Sequence, residues 1–331
     1  MKLSKSIAGG LKLLITLLLL LLIFHSVDLS AIRHHLQDMD AGALIVILAL
    51  CWIGQLICSE RWRIIAASLQ LGGSYPSFVK IYFAGMFFNI GLPSLIGGDF
   101  IKAYILSQKN HKPLLTGLIS VLLDRAAGLV SLLFYGTLAI ALNPMRWRGI
   151  PLWIPYAAAW TFTACSFGLV LAAGNLMRRF ADHTGPALLR KAIGYIIELQ
   201  QSCRIGRLES SQLLRIALFS FANSGLILWA LQRVTVAAGH PVDIISFCAL
   251  FPLVILATML PVTLGGLGVR EWVYVEALSL VGIPRISGLV VSLATSATLL
   301  LCNFAGLIFL PGVPAELRRR TGAVLKNERQ L

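Results

Sequence analysis

Polar side chains along this chain gather in short stretches, and long apolar runs lie between them near positions 41–58, 114–142, 152–174, 213–237 and 286–310. Each run is near or above the roughly 20 residues that a helix needs to cross a bilayer core. A further leucine-rich run, Leu13 to Phe24, follows Lys2, Lys5 and Lys12 in the manner of a signal-peptide core. No small-x-small cleavage site follows it at His25-Ser26-Val27-Asp28, so it is expected to stay as an uncleaved first span. The pattern predicts an all-α polytopic membrane protein with about six full spans.

Two apolar segments do not fit that template. Residues of about 78–106 and about 244–283 are each too long for one straight helix and too short for two full ones. Both carry the same interruption, Leu92-Pro93-x3-Gly97-Gly98-x3-Lys102 and Leu260-Pro261-x3-Gly265-Gly266-x3-Arg270, 168 positions apart. Proline removes a backbone donor and paired glycines loosen helical geometry, so Pro93 and Pro261 are expected hinges of broken helices whose freed groups protein or water must satisfy. Each segment is read as a re-entrant hairpin, and matching interruptions in two halves point to a transport site. One repeat is expected over about 78–142 and the other over about 244–310.

Composition agrees: of 331 residues 57% are hydrophobic and 13% charged, with mean hydropathy +0.83. A net charge of +14 could suggest nucleic acid, but the basic residues fall between apolar spans rather than in an aromatic-studded patch. Membrane orientation accounts for them better. With the six spans, 20 of the 28 basic residues, Arg61 and Arg63 among them, lie on the cytoplasmic side. Only Arg33, Arg146, Arg148, Arg233 and Arg285 lie outside, and Lys102, Arg125 and Arg270 lie at membrane depth. Both termini are then cytoplasmic in a multi-pass protein of the cell membrane. Three spans between the hairpins put them on opposite faces, an inverted-topology repeat.

Asp99, Lys102, Asp124, Arg125, Arg270, Glu271 and Glu276 lie within or beside apolar segments. A central charge costs at least about 2.5 kcal/mol on insertion scales, so these groups must face a cavity or one another. Asp124 and Arg125 diverge by about 100° on a helix and need separate partners. Arg125 is expected with Asp99 or Glu271, Asp124 with Lys102 or Arg270, and Glu276 at the outer interface. The candidate substrate-binding set is Gly97, Gly98, Asp99, Lys102, Asp124, Arg125, Gly265, Gly266, Gly268, Arg270 and Glu271. Cations and open helix N-termini there suit phosphate oxygens.

The remaining chemistry is sparse. Six cysteines form no CxxC pair and six histidines no HExxH, so neither a metal nor a cofactor is expected. Residues of about 178–212 include an amphipathic stretch, with Leu188, Leu189, Ala192, Ile193, Ile196 and Ile197 opposite Arg190, Lys191 and Glu198, suited to an anionic lipid surface. A cytoplasmic tail is expected over 312–331.

The stretch Gly97-Gly98-Asp99-Phe100-Ile101-Lys102, the Asp124-Arg125 pair, and Pro261-x3-Gly265-Gly266-Leu267-Gly268-Val269-Arg270-Glu271 together resemble the lysylphosphatidylglycerol synthase transmembrane region, a flippase-like membrane family. The first motif of that family usually carries Arg where Lys102 stands, and the second often Glu where Asp124 stands. Both departures keep the charge, although lysine cannot offer bidentate phosphate contacts. The resemblance implies a membrane domain that moves a phosphate-bearing or aminoacylated phospholipid, or a polyprenyl-linked lipid, between leaflets. The full synthase adds a soluble aminoacyl-transfer domain, which the short sequence after the last span is not expected to hold, so no enzyme activity is expected. No G-x4-GK[ST] occurs to drive transport by ATP. Two alternatives stand beside this reading: a membrane glycosyltransferase using Asp38-Met39-Asp40 as a metal-binding DxD, and a non-transporting accessory subunit of a partner enzyme. A homo-oligomer is compatible with either class.

Overall fold

The apolar runs fold as helices, in chain order α1 (Ala41–Ser68), α2 (Tyr75–Gly91), α3 (Gly97–Lys109), α4 (Leu114–Leu142), α5 (Trp153–Phe180), α6 (Ser210–Ala237), α7 (Ile244–Met259), α8 (Val269–Ser279) and α9 (Arg285–Phe304), the last continued by a 3-10 turn over Ala305–Gly312. This computed structural model describes residues 41–91, 97–180, 209–259 and 268–312, with side chains described within 42–89, 97–166, 209–258 and 268–309. The first span, the Asp38/Asp40 pair, Pro93, Pro261, Gly265, Gly266, most of the amphipathic segment and the tail lie outside the described residues. Among the described residues four helices are long and apolar enough to cross a membrane: α1 from Gly42, α4, α6, and α9 extended to Phe309. Fewer than half of the residues in their most apolar stretches are buried, so most of that surface turns outward and requires apolar surroundings. The chain is a membrane protein.

One departure from an all-helical chain is a short antiparallel pair, β1 (Arg146–Trp147) with β2 (Ile150–Pro151), between α4 and α5. Its two-residue turn, Arg148-Gly149, has φ of 50° and 85°, the positive pair that a primed hairpin turn demands.

Helices α2 and α3 are 17 and 13 residues long, about 25 and 20 Å at 1.5 Å per residue. They pack side by side in opposite directions. Ser77 near the start of α2 accepts a 2.6 Å hydrogen bond from Lys109 at the end of α3, and the Asn89 amide oxygen near the end of α2 accepts one of 3.0 Å from the Gly98 N–H. The mouth of this hairpin lies where α1 ends and α4 begins, tied by Gly72 to Asn110 at 2.8 Å and Lys112 to Gln70 at 3.0 Å. Helices α7 and α8 form the second hairpin, with Phe251 against Tyr274 at 4.9 Å between ring centroids. Its mouth lies at the other end of α4: Asn143 donates to Ser246 at 3.1 Å, and Arg148 to Glu276 at 3.2 Å. The two hairpins therefore open toward opposite ends of α4.

The recurrence extends well beyond the two motifs. Helices α1, α2, α3 and α4 correspond in order to α6, α7, α8 and α9, with starts 169, 169, 172 and 171 residues apart. Both α4 and α9 begin just after a proline, Pro113 and Pro284, with nearly equal φ of −56° and −57°. The packing obeys the same exchange. Within one unit α1 touches α2 and α4, α2 touches α3, and α3 touches α4, and each contact recurs in the other. Between units, α4 on α7 matches α9 on α2, and α4 on α6 matches α9 on α1. The seam is α1 against α6, which run antiparallel: Arg61 reaches Ser220 at 3.3 Å, while a Cβ on Gly54 would sit 2.8 Å from Asn223 Oδ1. Each unit thus takes in a helix, α1 or α6, ahead of the expected boundaries at 78 and 244.

The first hairpin closes through glycine. A Cβ on Gly98 would run into the Gly85 carbonyl and the Asn89 side chain, and one on Gly85 would come 2.9 Å from the Gly98 carbonyl. Gly98→Val should therefore lower stability by about 2 kcal/mol or more, as overpacking against unyielding backbone does. Gly72→Ala, whose Cβ would meet nothing nearer than 3.8 Å, should leave the unfolding midpoint of the detergent-solubilised protein unchanged.

Candidate functional site

The first turn of α3 points Asp99 into the protein, and the next turn brings Lys102 back over it, the i, i+3 spacing of neighbours on one helix face. The Lys102 ammonium lies 2.8 Å from Asp99 Oδ1. That oxygen has no aligned hydrogen-bond donor among the described residues, so this is an ion contact rather than a directed bond. The other oxygen, Oδ2, accepts a hydrogen bond from Arg125 Nε of α4. Asp99 and Lys102 are each 7% exposed, whereas the Arg125 side chain is 36% exposed. The pair is sealed inside and Arg125 is its outward-reaching member.

Aromatic rings hold the lysine. Its ammonium sits 4.1 Å from the centroid of the Tyr82 ring and 5.8 Å from that of Trp62, where ring quadrupoles attract a desolvated cation. Trp62 is fixed in turn by a 3.1 Å hydrogen bond from its indole N–H to Ser120 of α4.

A second ion pair lies alongside. Asp124 accepts a 2.7 Å bond from Arg61 Nε, and the same guanidinium donates to Ser220 at 3.3 Å, joining α1, α4 and α6. This corrects two expectations. Asp124 pairs with neither Lys102 nor Arg270, because the 100° turn that sends Arg125 toward α3 sends Asp124 toward α1. Arg61 is not a cytoplasmic loop cation, because α1 continues to Ser68 and buries it to 3% exposure. Its signal was helical spacing: Ile47, Cys51, Cys58, Arg61 and Ile65 all fall on the buried face of α1, while Glu60 and Arg63 pair on the partly exposed face at 2.6 Å.

The second unit uses its charges differently. Gly268, with φ 83°, precedes α8, and Glu271 Oε2 accepts its N–H at 2.6 Å, capping the helix. Arg270 Nε meets the other oxygen of Glu271 at 3.2 Å, and Ser296 of α9 approaches it at 3.5 Å. Glu271 is thus a cap and a partner of Arg270, not of Arg125. Glu276 reaches the end of the molecule as expected, where Arg148 and Arg285 meet it at 3.2 and 3.1 Å. Of the candidate residues, Asp99, Lys102 and Arg125 form one cluster, Asp124 joins Arg61 beside it, Gly97 and Gly98 start the helix carrying Asp99, and Gly268, Arg270 and Glu271 form a separate group. No set of three metal-ligating side chains comes together among the described residues.

The class defined here is a helical membrane protein built of two matching four-helix units, with a buried, cation-rich polar cluster beside a broken helical hairpin. The chain belongs to the family of the lysylphosphatidylglycerol synthase TM region, whose model matches residues 10–306. It is also similar to a UPF0104 membrane protein of Methanothermobacter thermautotrophicus, at 23% identity over 251 residues, covering 69% of this chain and 71% of the relative.

The Arg61–Asp124 pair gives a direct stability test. Arg61→Met leaves a buried carboxylate without its cation and should cost about 3–5 kcal/mol, whereas Arg61→Met with Asp124→Leu should recover most of that loss. Thermal unfolding of the three proteins in one detergent measures both effects.

Proposed function

We propose that this domain moves a lipid with a phosphate-bearing headgroup between membrane leaflets, without catalysing a covalent change. The observation that carries the reading is the charge arrangement beside the first hairpin. Among the described residues three cations, Arg61, Lys102 and Arg125, gather about two carboxylates, Asp99 and Asp124, and the least buried of the five is the Arg125 guanidinium. A phosphodiester monoanion suits a cation-rich setting of this kind, and guanidinium is the side chain best shaped to hold it. The shared ancestry with a synthase of a lysylated phospholipid supports a lipid as cargo.

In this reading α2–α3 and α7–α8 are re-entrant hairpins, the first entered from the cytoplasmic face and the second from outside, in an inverted-topology repeat. Support comes from helix lengths below the roughly 30 Å of a bilayer core, from mouths at opposite ends of α4, and from the excess of lysine and arginine in the predicted cytoplasmic segments. The protein then lies in the cell membrane with both termini inside. No P-loop is present, so gradients or mass action drive movement, and a net cationic lipid leaving an inside-negative cell opposes about 2.3 kcal/mol per charge per 100 mV.

Two experiments test this. Arg125→Gln, purified and reconstituted with labelled lipids, should lose leaflet exchange while remaining monodisperse, because the amide keeps hydrogen bonding but removes the charge. Exchange at the native rate would return Arg125 to a packing role. Single cysteines at Lys109 and Gly282, in a background without native cysteines, should label from opposite faces of oriented vesicles. Labelling of both from one face would reject the inverted arrangement.

A further inference from the structure

The mouth of the second hairpin carries a built arrangement that the cluster beside the first does not use. Glu276 of α8 holds two arginines from different elements, Arg148 in the β-turn through Oε2 at 3.2 Å and Arg285 at the start of α9 through Oε1 at 3.1 Å. The Glu276 side chain is almost covered, 11% exposed, whereas the Arg148 and Arg285 side chains are 66% and 73% exposed. Each arginine spends one terminal nitrogen on Glu276, and the Arg148 guanidinium also lies over the Trp147 ring, 5.6 Å from its centroid, so what each fork has left for a ligand is its remaining N–H edge. Within this group of three, two cations face one carboxylate.

Three independent features say that this is more than a latch. First, Arg148 occupies a left-handed turn position, φ 50°, where asparagine fits far better, so turn formation does not account for arginine there. Second, Pro284 gives α9 no side-chain cap, so the positive end of a 20-residue helix dipole lies open beside Arg285. Third, arginine is scarce on this side of the membrane in the sequence-based topology, yet Arg148 and Arg285 converge here. The surroundings are those of a membrane interface: Trp147 packs edge-on against Trp272 at 6.5 Å, and Trp272 and Ile150 are largely exposed.

We infer that this mouth is a binding site for the phosphodiester headgroup of an anionic phospholipid. The two outward forks and the α9 N-terminus take the phosphate oxygens, and the tryptophans lie against the glycerol and upper acyl region. The site is separate from the Asp99 cluster and does not depend on the transport reading, because binding is read without any leaflet exchange.

A photo-crosslinking residue at Ile150, in the full-length protein in liposomes of equimolar phosphatidylglycerol and phosphatidylcholine, tests it. Adducts identified by mass spectrometry should favour phosphatidylglycerol by about tenfold, the ratio that one charge-assisted contact of about 1.4 kcal/mol confers. Arg148→Asn with Arg285→Gln should return adducts to the bulk lipid ratio, and the asparagine suits the turn, so the hairpin persists. Arg148→Lys with Arg285→Lys, which keeps charge but not the fork, should lose most of the preference. Adducts at the bulk ratio in the unaltered protein overturn the site, and full preference in the double-lysine protein reduces it to diffuse attraction. Loss of the preference on adding millimolar inorganic phosphate at constant ionic strength overturns the lipid in favour of a soluble anion.

Discussion

A helix that ends among apolar neighbours must have the polar backbone groups at its end met by protein, and this constraint organises the structure. Over their described lengths of about 25, 20, 24 and 17 Å, α2, α3, α7 and α8 are shorter than a bilayer core of about 30 Å. Their inner ends must be covered by protein. The full-length α4 and α9 supply that cover, each packing along both hairpins. The end groups are met by side chains: Asn89 accepts from the Gly98 N–H in one hairpin and Glu271 from the Gly268 N–H in the other. Close approach through Gly85 and Gly98 makes the first of these bonds reachable.

The two caps are equivalent in geometry and opposite in consequence. A neutral amide caps α3, which leaves the carboxylate one residue further on, Asp99, to hold Lys102 and Arg125. In the second unit the carboxylate itself is the cap, and its remaining oxygen is taken by the adjacent Arg270. The supporting helices diverge in step. At an offset of 171, the Asp124-Arg125 pair of α4 corresponds to Thr295-Ser296 of α9, so one unit keeps charge where the other keeps hydroxyls. The backbone is nearly symmetric, and the polar cluster belongs to one half.

Much of this was legible before any coordinates. Apolar run length identified the long helices, and the Pro/Gly-Gly recurrence at 168 falls between α2 and α3 in one unit and between α7 and α8 in the other. The scarcity of charge at depth narrowed the partner of Arg125 to Asp99 or Glu271, and the structure pairs it with Asp99. What was not legible was where a helix continues past its apolar run. The sequence Ser59-Glu60-Arg61-Trp62-Arg63 looks like a charged boundary, yet helical rotation turns Arg61 and Trp62 inward and Glu60 and Arg63 outward. That one extension moved a cation from the surface to the core and changed the partner of Asp124. The equivalence of α1 and α6 was likewise hidden, since helix-on-helix packing constrains spacing and residue size more than identity.

The arithmetic of charge also bears on how a headgroup could enter without a large electrostatic cost. Breaking a buried pair by removing one partner costs about 3–5 kcal/mol, so a site that had to strip Asp99 of both cations would resist its own ligand. The geometry offers an easier sequence. Lys102 is clamped between Tyr82 and Trp62 and stays beside Asp99 Oδ1, while Arg125 contacts the other oxygen from a partly exposed position. If Arg125 turns from Asp99 to an arriving phosphate, the carboxylate keeps Lys102, Asp124 keeps Arg61, and the phosphate monoanion takes Arg125. In the proposed function, both carboxylates thus keep a cation throughout the exchange. A lysine at position 102 suits this exchange: a compact ammonium over aromatic rings serves as a resident counterion, leaving the forked contact to Arg125.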